Sequence, residues 1–303
     1  AYLDSPAKDQ TQYVSDAFIE SGASYFTFGT YSLSAKALCE FASTQFETGE
    51  MPAASPTGVY LNIPDYALLW PVWLRAHYMY TGDRKLLDRL LPNAEKLFSY
   101  FHEISDANTG LLRDLGKDYK AFCFLDHGSI DRRGIVTGLN ALYSRALLSG
   151  AWLFQQVGRE DFAEILRLRL QLLVNSIRQL AWNEEEGLFA DCWFGGQAAD
   201  SCSMQTNVLA LYGGLTPAEQ YNSVFEKLFV DDVPYLREPV GRSDNAYFKF
   251  FILETAFALG HRQWAFNYMK WYWGGMIERG ATTWWELFDP ASPESSGAPG
   301  STC

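Results

Sequence analysis

Apolar residues recur at three- and four-residue steps along most of this chain, the repeat of helices with one face turned inward. The stretch "DYALLWPVWLRAHYMYTGD" carries that pattern from Tyr66 to Tyr80 and stops at Gly82; "DRKLLDRLLPNAEKLFSYFHEI" takes it up at once. A second pair, "GLNALYSRALLSGAWLFQQVG" and "DFAEILRLRLQLLVNSIRQLAW", turns at Gly158 and Arg159. A third, "AYFKFFILETAFALG" and "RQWAFNYMKWYWGGMIERG", turns at Gly260 and His261. An earlier pair runs roughly over 16–28 and 31–46, and "SMQTNVLALYGGLTPAEQYNSVFEKLFV" reads as two shorter helices broken at Gly213, Gly214 and Pro217. The total is about ten helices, and helices joined by short links lie antiparallel to their neighbours. The one strand signal is "GLFADCWF", Gly187 to Phe194, a short strand or hairpin.

Between the hairpins run longer polar loops: "YLDSPAKDQTQYVSD", "SPTGVYLNIPD", "FCFLDHGSIDRRG", "REPVGRSDN" and "ATTWWELFDPASPESSGAPG". Loops gathered at one end of a helical barrel are where a cleft is built. No Pro/Gly/Ser-rich linker divides the middle, so the 303 residues read as a single domain. Hydrophobic residues make up 48% of the chain, enough to bury a sizeable core. No run of eighteen apolar residues predicts a membrane span. The net charge of −12 argues against a nucleic-acid or anionic-membrane partner and is compatible with a neutral sugar. Aromatic residues reach 16%; most belong in the core, but their faces also stack on sugar rings.

The five cysteines, Cys39, Cys123, Cys192, Cys202 and Cys303, are odd in number and widely spaced, which suits reduced thiols. The histidines form no metal-ligand spacing, and no P-loop, G-x-G-x-x-G or G-x-S-x-G is present. No metal or other cofactor is expected, and the chain opens on no secretory signal.

The chemistry therefore rests on carboxylates in loops. Asp4, Asp9 and Asp16 fall in one turn-rich segment. Three carboxylates in a small space repel one another, so at least one pKa rises, as a general acid requires. Asp16 also reads as an ordinary first-turn acid after Ser15 as N-cap, and Asp65, after Pro64, as a helix cap or a ligand. Glu286 follows Trp284 and Trp285; the segment around Asp126 and His127 also reads as a surface loop cross-linked by Asp–Arg pairs. Gln205 and Asn207 sit in a helix and suit satisfied polar groups at a packed joint.

Taken in order, "DSPAKDQTQYVSDA", "IPDYALLWP…YTGD", "FLDHGSIDRRGIVTGLNALY", "MQTNVLAL", "YFKFFILETAFALG" and "WGGMIERGATTWWELFDP" resemble the bacterial α-L-rhamnosidases of glycoside hydrolase family 78 over nearly the whole chain. The resemblance implies an all-α (α/α)6 barrel of six helical hairpins that hydrolyses terminal α-L-rhamnosyl bonds with inversion and without a cofactor. The family's first motif, D-x-P-x-R-E-x-x-x-x-x-x-D, puts Asp4 and Asp16 on its sugar-binding aspartates, Asp9 on the general acid and Lys8 on an arginine. Glu286 falls on the general base of T-T-x-W-E and Trp285 on its tryptophan. Asp65 matches an aspartate at the barrel mouth, and Asp126 that of an F-x-D-W-like motif whose aromatic is His127 here. The departures are specific. Asp9 is one methylene shorter than the usual Glu, Lys8 lacks the bidentate fork of Arg, and Ile63 stands where a tryptophan is common.

In that mechanism protonated Asp9 donates to the leaving oxygen and ionised Glu286 takes a proton from the attacking water, the two carboxyls roughly 6.5–9.5 Å apart. The implied substrate is a rhamnosylated oligosaccharide, polysaccharide or glycoside. The resemblance further implies a barrel that continues by a helix at each end and flanking β-sandwich domains, with apolar surface exposed where the barrel is open. Two other readings are compatible with the departures: a different six-hairpin glycosidase, such as a glucosidase or unsaturated-uronyl hydrolase, and a sugar-binding relative without catalysis.

Overall fold

The computed structural model describes residues 1–5, 10–58, 61–113, 123–229 and 245–290. Lys8 and Asp9 lie outside them, as do most of "REPVGRSDN", the chain from 291 onward and Cys303. Among the described residues the fold is ten α-helices and five very short strands.

The helices pair as the periodicity predicts: α1 (Val14–Phe28) with α2 (Ser32–Ser43), α3 (Pro64–Thr81) with α4 (Arg84–Ile104), α5 (Thr137–Gln156) with α6 (Glu160–Ala181), α7 (Met204–Gly213) with α8 (Tyr221–Leu228), and α9 (Ala246–Ala258) with α10 (Arg262–Glu278). Glycines in the left-handed region close α1 at Gly29, α3 at Gly82 and α7 at Gly214, a conformation that costs glycine no Cβ clash. A 3-10 turn, Ala218–Gln220, follows Pro217 and leads into α8. Helix α3 runs through Pro71 and α4 through Pro92 without ending.

Burial sorts the helices into two layers. Helices α3, α5 and α7 are buried over most of their surface, whereas α4 and α6 bury only a stripe such as Leu87, Leu90, Leu91, Ala94, Leu97, Phe98 and Phe101. A helix apolar all round belongs inside; one with a narrow stripe belongs on the outside. The odd-numbered helices also touch in succession, α1 on α3, α3 on α5, α5 on α7 and α7 on α9. They form an inner wall, with the even-numbered helices outside it. Gly213 shows how closely the inner helices approach: an added Cβ there would lie 2.8 Å from the Ala141 carbonyl carbon, and Ser144 Oγ donates to the Gly213 carbonyl at 2.6 Å.

The expected hairpin over 187–194 is divided between two sheets. Strand β2 (Trp182–Asn183) pairs antiparallel with β3 (Leu188–Phe189). Strand β4 (Cys192–Phe194) lies between β1 (Ile135–Val136) and β5 (Gln197–Ala198), in register Val136↔Cys192 and Phe194↔Gln197. Asn207 fastens the first hairpin to α7: Phe189 N donates to its Oδ1 at 2.7 Å, and its Nδ2 donates to Phe189 O at 3.0 Å. No described helix is long and apolar enough to cross a membrane.

Candidate active site

The inner helices start at one end, and the carboxylates meet there. Helix α1 begins at Val14 with Tyr13 as N-cap, so Ser15 is not the cap and Asp16 stands inside the first turn. Ser15 Oγ instead donates to Asp16 Oδ2 at 2.9 Å. Burial lifts Asp16 to a pKa of about 6, and the nearby charges of Asp4 and Glu286 push the same way against the Ser15 hydrogen bond. Asp4 closes its own loop: Thr11 N donates to its Oδ1 at 3.0 Å and Asp4 N donates to Thr11 O at 3.1 Å. The intervening loop passes through Gln10 at φ 54°, in the left-handed region.

Glu286 arrives from the opposite side of the chain. Its carbonyl accepts from Ala246 N at 3.0 Å, and Leu287 bridges to Asn245, so the segment lies across the start of α9. Its carboxylate is 22% exposed, with His127 Nε2 at 3.7 Å from Oε1. Trp285 is half-buried, its ring 5.6 Å from Phe288, whereas Trp284 is exposed.

Asp65 and Asp126 are buried, and their oxygens are engaged. Asp65 caps nothing on its own helix, whose N-cap is Ile63. Phe124 N and Leu125 N donate to its two carboxylate oxygens at 3.0 and 2.9 Å, which ties the following loop to α3. Leu125, at φ 56°, is with Gln10 one of the two described non-glycine residues at positive φ, and both flank this mouth. Burial raises Asp65 to about 6, although the two backbone donors oppose it. Asp126 Oδ1 accepts from His127 N at 2.8 Å and Oδ2 from Gln205 Nε2 at 3.1 Å. Gln205 gets there because residue 128 is glycine; a Cβ would collide with its side-chain amide. The loop is thus no surface segment stitched by Asp–Arg pairs. Asp131 and Arg133 do pair, exposed, at 2.6 Å, but Arg132 donates to the carbonyls of Phe124, Asp126, Gly128 and Ile130.

Four site groups were missed by reading the chain. Glu20 lies one turn beyond Asp16, and burial with the charges of Asp16 and Asp4 lifts it to about 8; the i, i+4 spacing was legible. Tyr66 and Tyr247, with Phe124, form an aromatic wall with centroids 5.8 to 6.2 Å apart. Both tyrosine hydroxyls approach Ser15 and stay protonated, since burial and the charges of Asp16 and Asp65 hold their pKa well above the usual value. Asp191 is the fourth: buried, it accepts from Ser203 Oγ, Thr206 Oγ1 and Asp131 N, and locks the start of α7 to the Asp126 loop. Among the described residues no group of three or more His, Cys, Asp or Glu side chains is placed to hold a metal ion. Cys39, Cys123, Cys192 and Cys202 are free thiols.

Asp16, Tyr66 and Tyr247 thus stand at the starts of inner helices in a wall of paired helical hairpins. The chain belongs to the bacterial alpha-L-rhamnosidase six-hairpin glycosidase domain family, which it matches over residues 1–300. Among solved structures it is similar to a glycoside hydrolase family 78 rhamnosidase of Bacillus sp. GL1, at 25% identity and TM-score 0.85, over 95% of this chain and 29% of that one. It is also similar to a rhamnosidase from Klebsiella oxytoca with rhamnose bound, at 22% identity and TM-score 0.83, over 100% of this chain and 56% of that one. The glycoside hydrolase family 63 mannosylglycerate hydrolase from Thermus thermophilus, in complex with glucose, shares the fold at 14% identity and TM-score 0.71, over 99% of this chain and 92% of that one. The chain spans 29% and 56% of the two rhamnosidases. Comparison with curated protein sequences gave no match.

Proposed function

We propose that this chain is one catalytic domain that hydrolyses terminal α-L-rhamnosyl bonds with inversion. The observation that carries the reading is the meeting of Glu286 with Asp16 and Asp4 at the mouth of a barrel of the rhamnosidase family. Glu286 is the general base: ionised, it takes a proton from the water that attacks the anomeric carbon. Asp9, outside the described residues like Lys8, is the general acid, and Lys8, its neighbour in sequence, is a substrate-binding residue. Asp4 and Asp16 hold sugar hydroxyls. Tyr66, Tyr247 and Trp285 shape the pocket against the ring. Asp65 and Asp126 act one step back: with their oxygens engaged, they hold the loop that presents His127 towards Glu286. The substrate class is a rhamnosylated oligosaccharide, polysaccharide or glycoside.

The test is hydrolysis of p-nitrophenyl α-L-rhamnoside by the full-length protein, with the first-formed anomer followed by NMR. Inversion delivers β-L-rhamnose first; α-L-rhamnose first would overturn the mechanism, and rhamnose binding without turnover would select a sugar-binding role. Glu286→Gln is expected to cut kcat about 10²–10⁴-fold while rhamnose still binds. Asp9→Asn is expected to hurt most on poor leaving groups and least on activated aryl glycosides. Equal losses across leaving groups would remove Asp9 from the acid role.

A further inference from the structure

Lys249 is a buried lysine linked to Glu286 by packed rings. It ends the first turn of α9 and is 1% exposed, in a helix whose other charged residue is Glu254. The side chain turns toward α10. Its Nζ lies 4.9 Å from the centroid of the Tyr272 ring and 6.0 Å from that of Tyr268, and both tyrosines are fully buried.

The contacts run on to the proposed base. Tyr272 meets Phe288 edge-on at 5.7 Å, and Phe288 meets Trp285 edge-on at 5.6 Å. Phe288 is fully buried, and α10 comes so close that a Cβ on Gly275 would lie 3.1 Å from its ring. Glu286 stands between Trp285 and Phe288 in the chain. Its carbonyl accepts from Ala246 N at 3.0 Å, at the start of the helix that carries Lys249. Acids of the site act on the same rings: burial raises the Tyr268 pKa, and the charges of Asp126 and Asp289 push it the same way.

A lysine withdrawn from water costs free energy that a methionine of similar length does not. Packing α9 on α10 asks only for apolar volume. What the ammonium adds is direction. Apolar contact is non-directional, whereas a cation is drawn to the face of a ring, the more so when water is excluded, and so fixes how that ring stands. Tyr272, the nearer of the two rings, is the one that touches Phe288.

We propose that Lys249 is a positioning residue for Glu286, holding the segment 285–288 through the Tyr272 ring. Its effect on catalysis rests on the rhamnosidase reading above; its hold on the segment does not.

The experiment compares Lys249→Met and Lys249→Gln with the wild type, all as the full-length protein. Hydrogen exchange is followed over 284–288, and kcat and KM are measured on p-nitrophenyl α-L-rhamnoside. Loss of the cation is expected to speed exchange over 284–288 about tenfold or more, with the amides of α5 unchanged. A lysine needed only for the fold would open both alike. In the same variants kcat is expected to fall about tenfold while KM stays within about twofold, because a displaced base slows the chemical step without weakening sugar binding. Lys249→Gln covers the case in which Lys249→Met does not fold. Exchange over 284–288 as slow as in the wild type, or equally faster in α5, would overturn the proposal. So would an unchanged kcat, a loss confined to KM, or failure of both variants to fold. If the wild type itself does not turn over rhamnosides, the rhamnosidase reading falls and the exchange pattern decides the proposal alone.

Discussion

Asp16 is a carboxylate whose surroundings resist its charge. Its pKa rises from 3.8 to about 6, chiefly through burial. The folded state therefore binds its proton more tightly than the unfolded chain does, and stability is lost as pH climbs from about 4 to about 6. At pH 7 the folded protein carries the whole cost, so Asp16→Asn, which keeps a partner for Ser15, is expected to stabilise it by up to about 3 kcal/mol. The same change should weaken rhamnose binding, because an amide replaces an acceptor-only group. Urea unfolding at pH 7 and rhamnose titration check the two halves. His127 makes a milder case. Its Nε2 is 3.7 Å from Glu286 and its side chain is 49% exposed, while its ring meets Phe124 edge-on at 4.8 Å. His127→Phe keeps that packing and removes the nitrogen. A half-exposed pair is worth at most about 1 kcal/mol, so kcat/KM should fall less than tenfold, and a larger loss would show that the imidazole touches substrate.

The loop from Cys123 to His127 is positioned by elements that are distant in sequence. Asp65 in α3 holds two of its amides, Gln205 in α7 holds Asp126, and Leu125 packs so closely on α5 that a Cβ on Gly138 would lie 2.8 Å from Leu125 Cδ1. Asp65→Asn turns an amide donor toward a backbone N–H, leaving one buried donor unmatched; the expected cost is about 1–3 kcal/mol. Leu125 can then relax from its left-handed backbone, and kcat/KM should fall although Asp65 itself has no free oxygen facing the mouth. Chemical unfolding and kinetics on the same variant test this; full activity would mean the loop needs no tie. The sequence offered Asp65 as a helix cap or a ligand, because capping is the local habit of an acid at a helix start, and the backbone partners it holds lie some sixty residues on.

The acids of the mouth together bend the stability profile of the whole protein. Asp16 and Asp65 sit at about 6 and Glu20 at about 8, each raised mainly by burial. Groups with raised carboxylate pKa values release protons on unfolding, so stability should fall from about pH 4 to pH 8, on the order of 1 kcal/mol per pH unit for each group while it titrates. Melting temperatures at about pH 4.5, 6 and 7.5 check the sign; a flat or rising series would mean that these carboxyls are ionised without strain. Bound rhamnose should flatten the slope if its hydroxyls donate to Asp16, whereas Asp65, with both oxygens already engaged, should keep its share.

Helical hairpins are legible in the chain because periodicity is a local property: each turn of α3 or α6 announces which face it buries, and Gly29, Gly82 and Gly214 mark where the turn must end. The candidate carboxylates were legible through their order in motifs, including Asp4, Asp16 and Glu286. Partners were not. Nothing near Asp126 points to Gln205, nothing near Phe189 points to Asn207, and the three-stranded sheet that takes in 192–198 depends on a strand at Ile135–Val136 that is too brief to carry a pattern. Tyr66 and Tyr247 gained their place at the mouth only when α3 and α9 were brought side by side, and burial in that packing, not local propensity, decides how far the pKa of Glu20 moves.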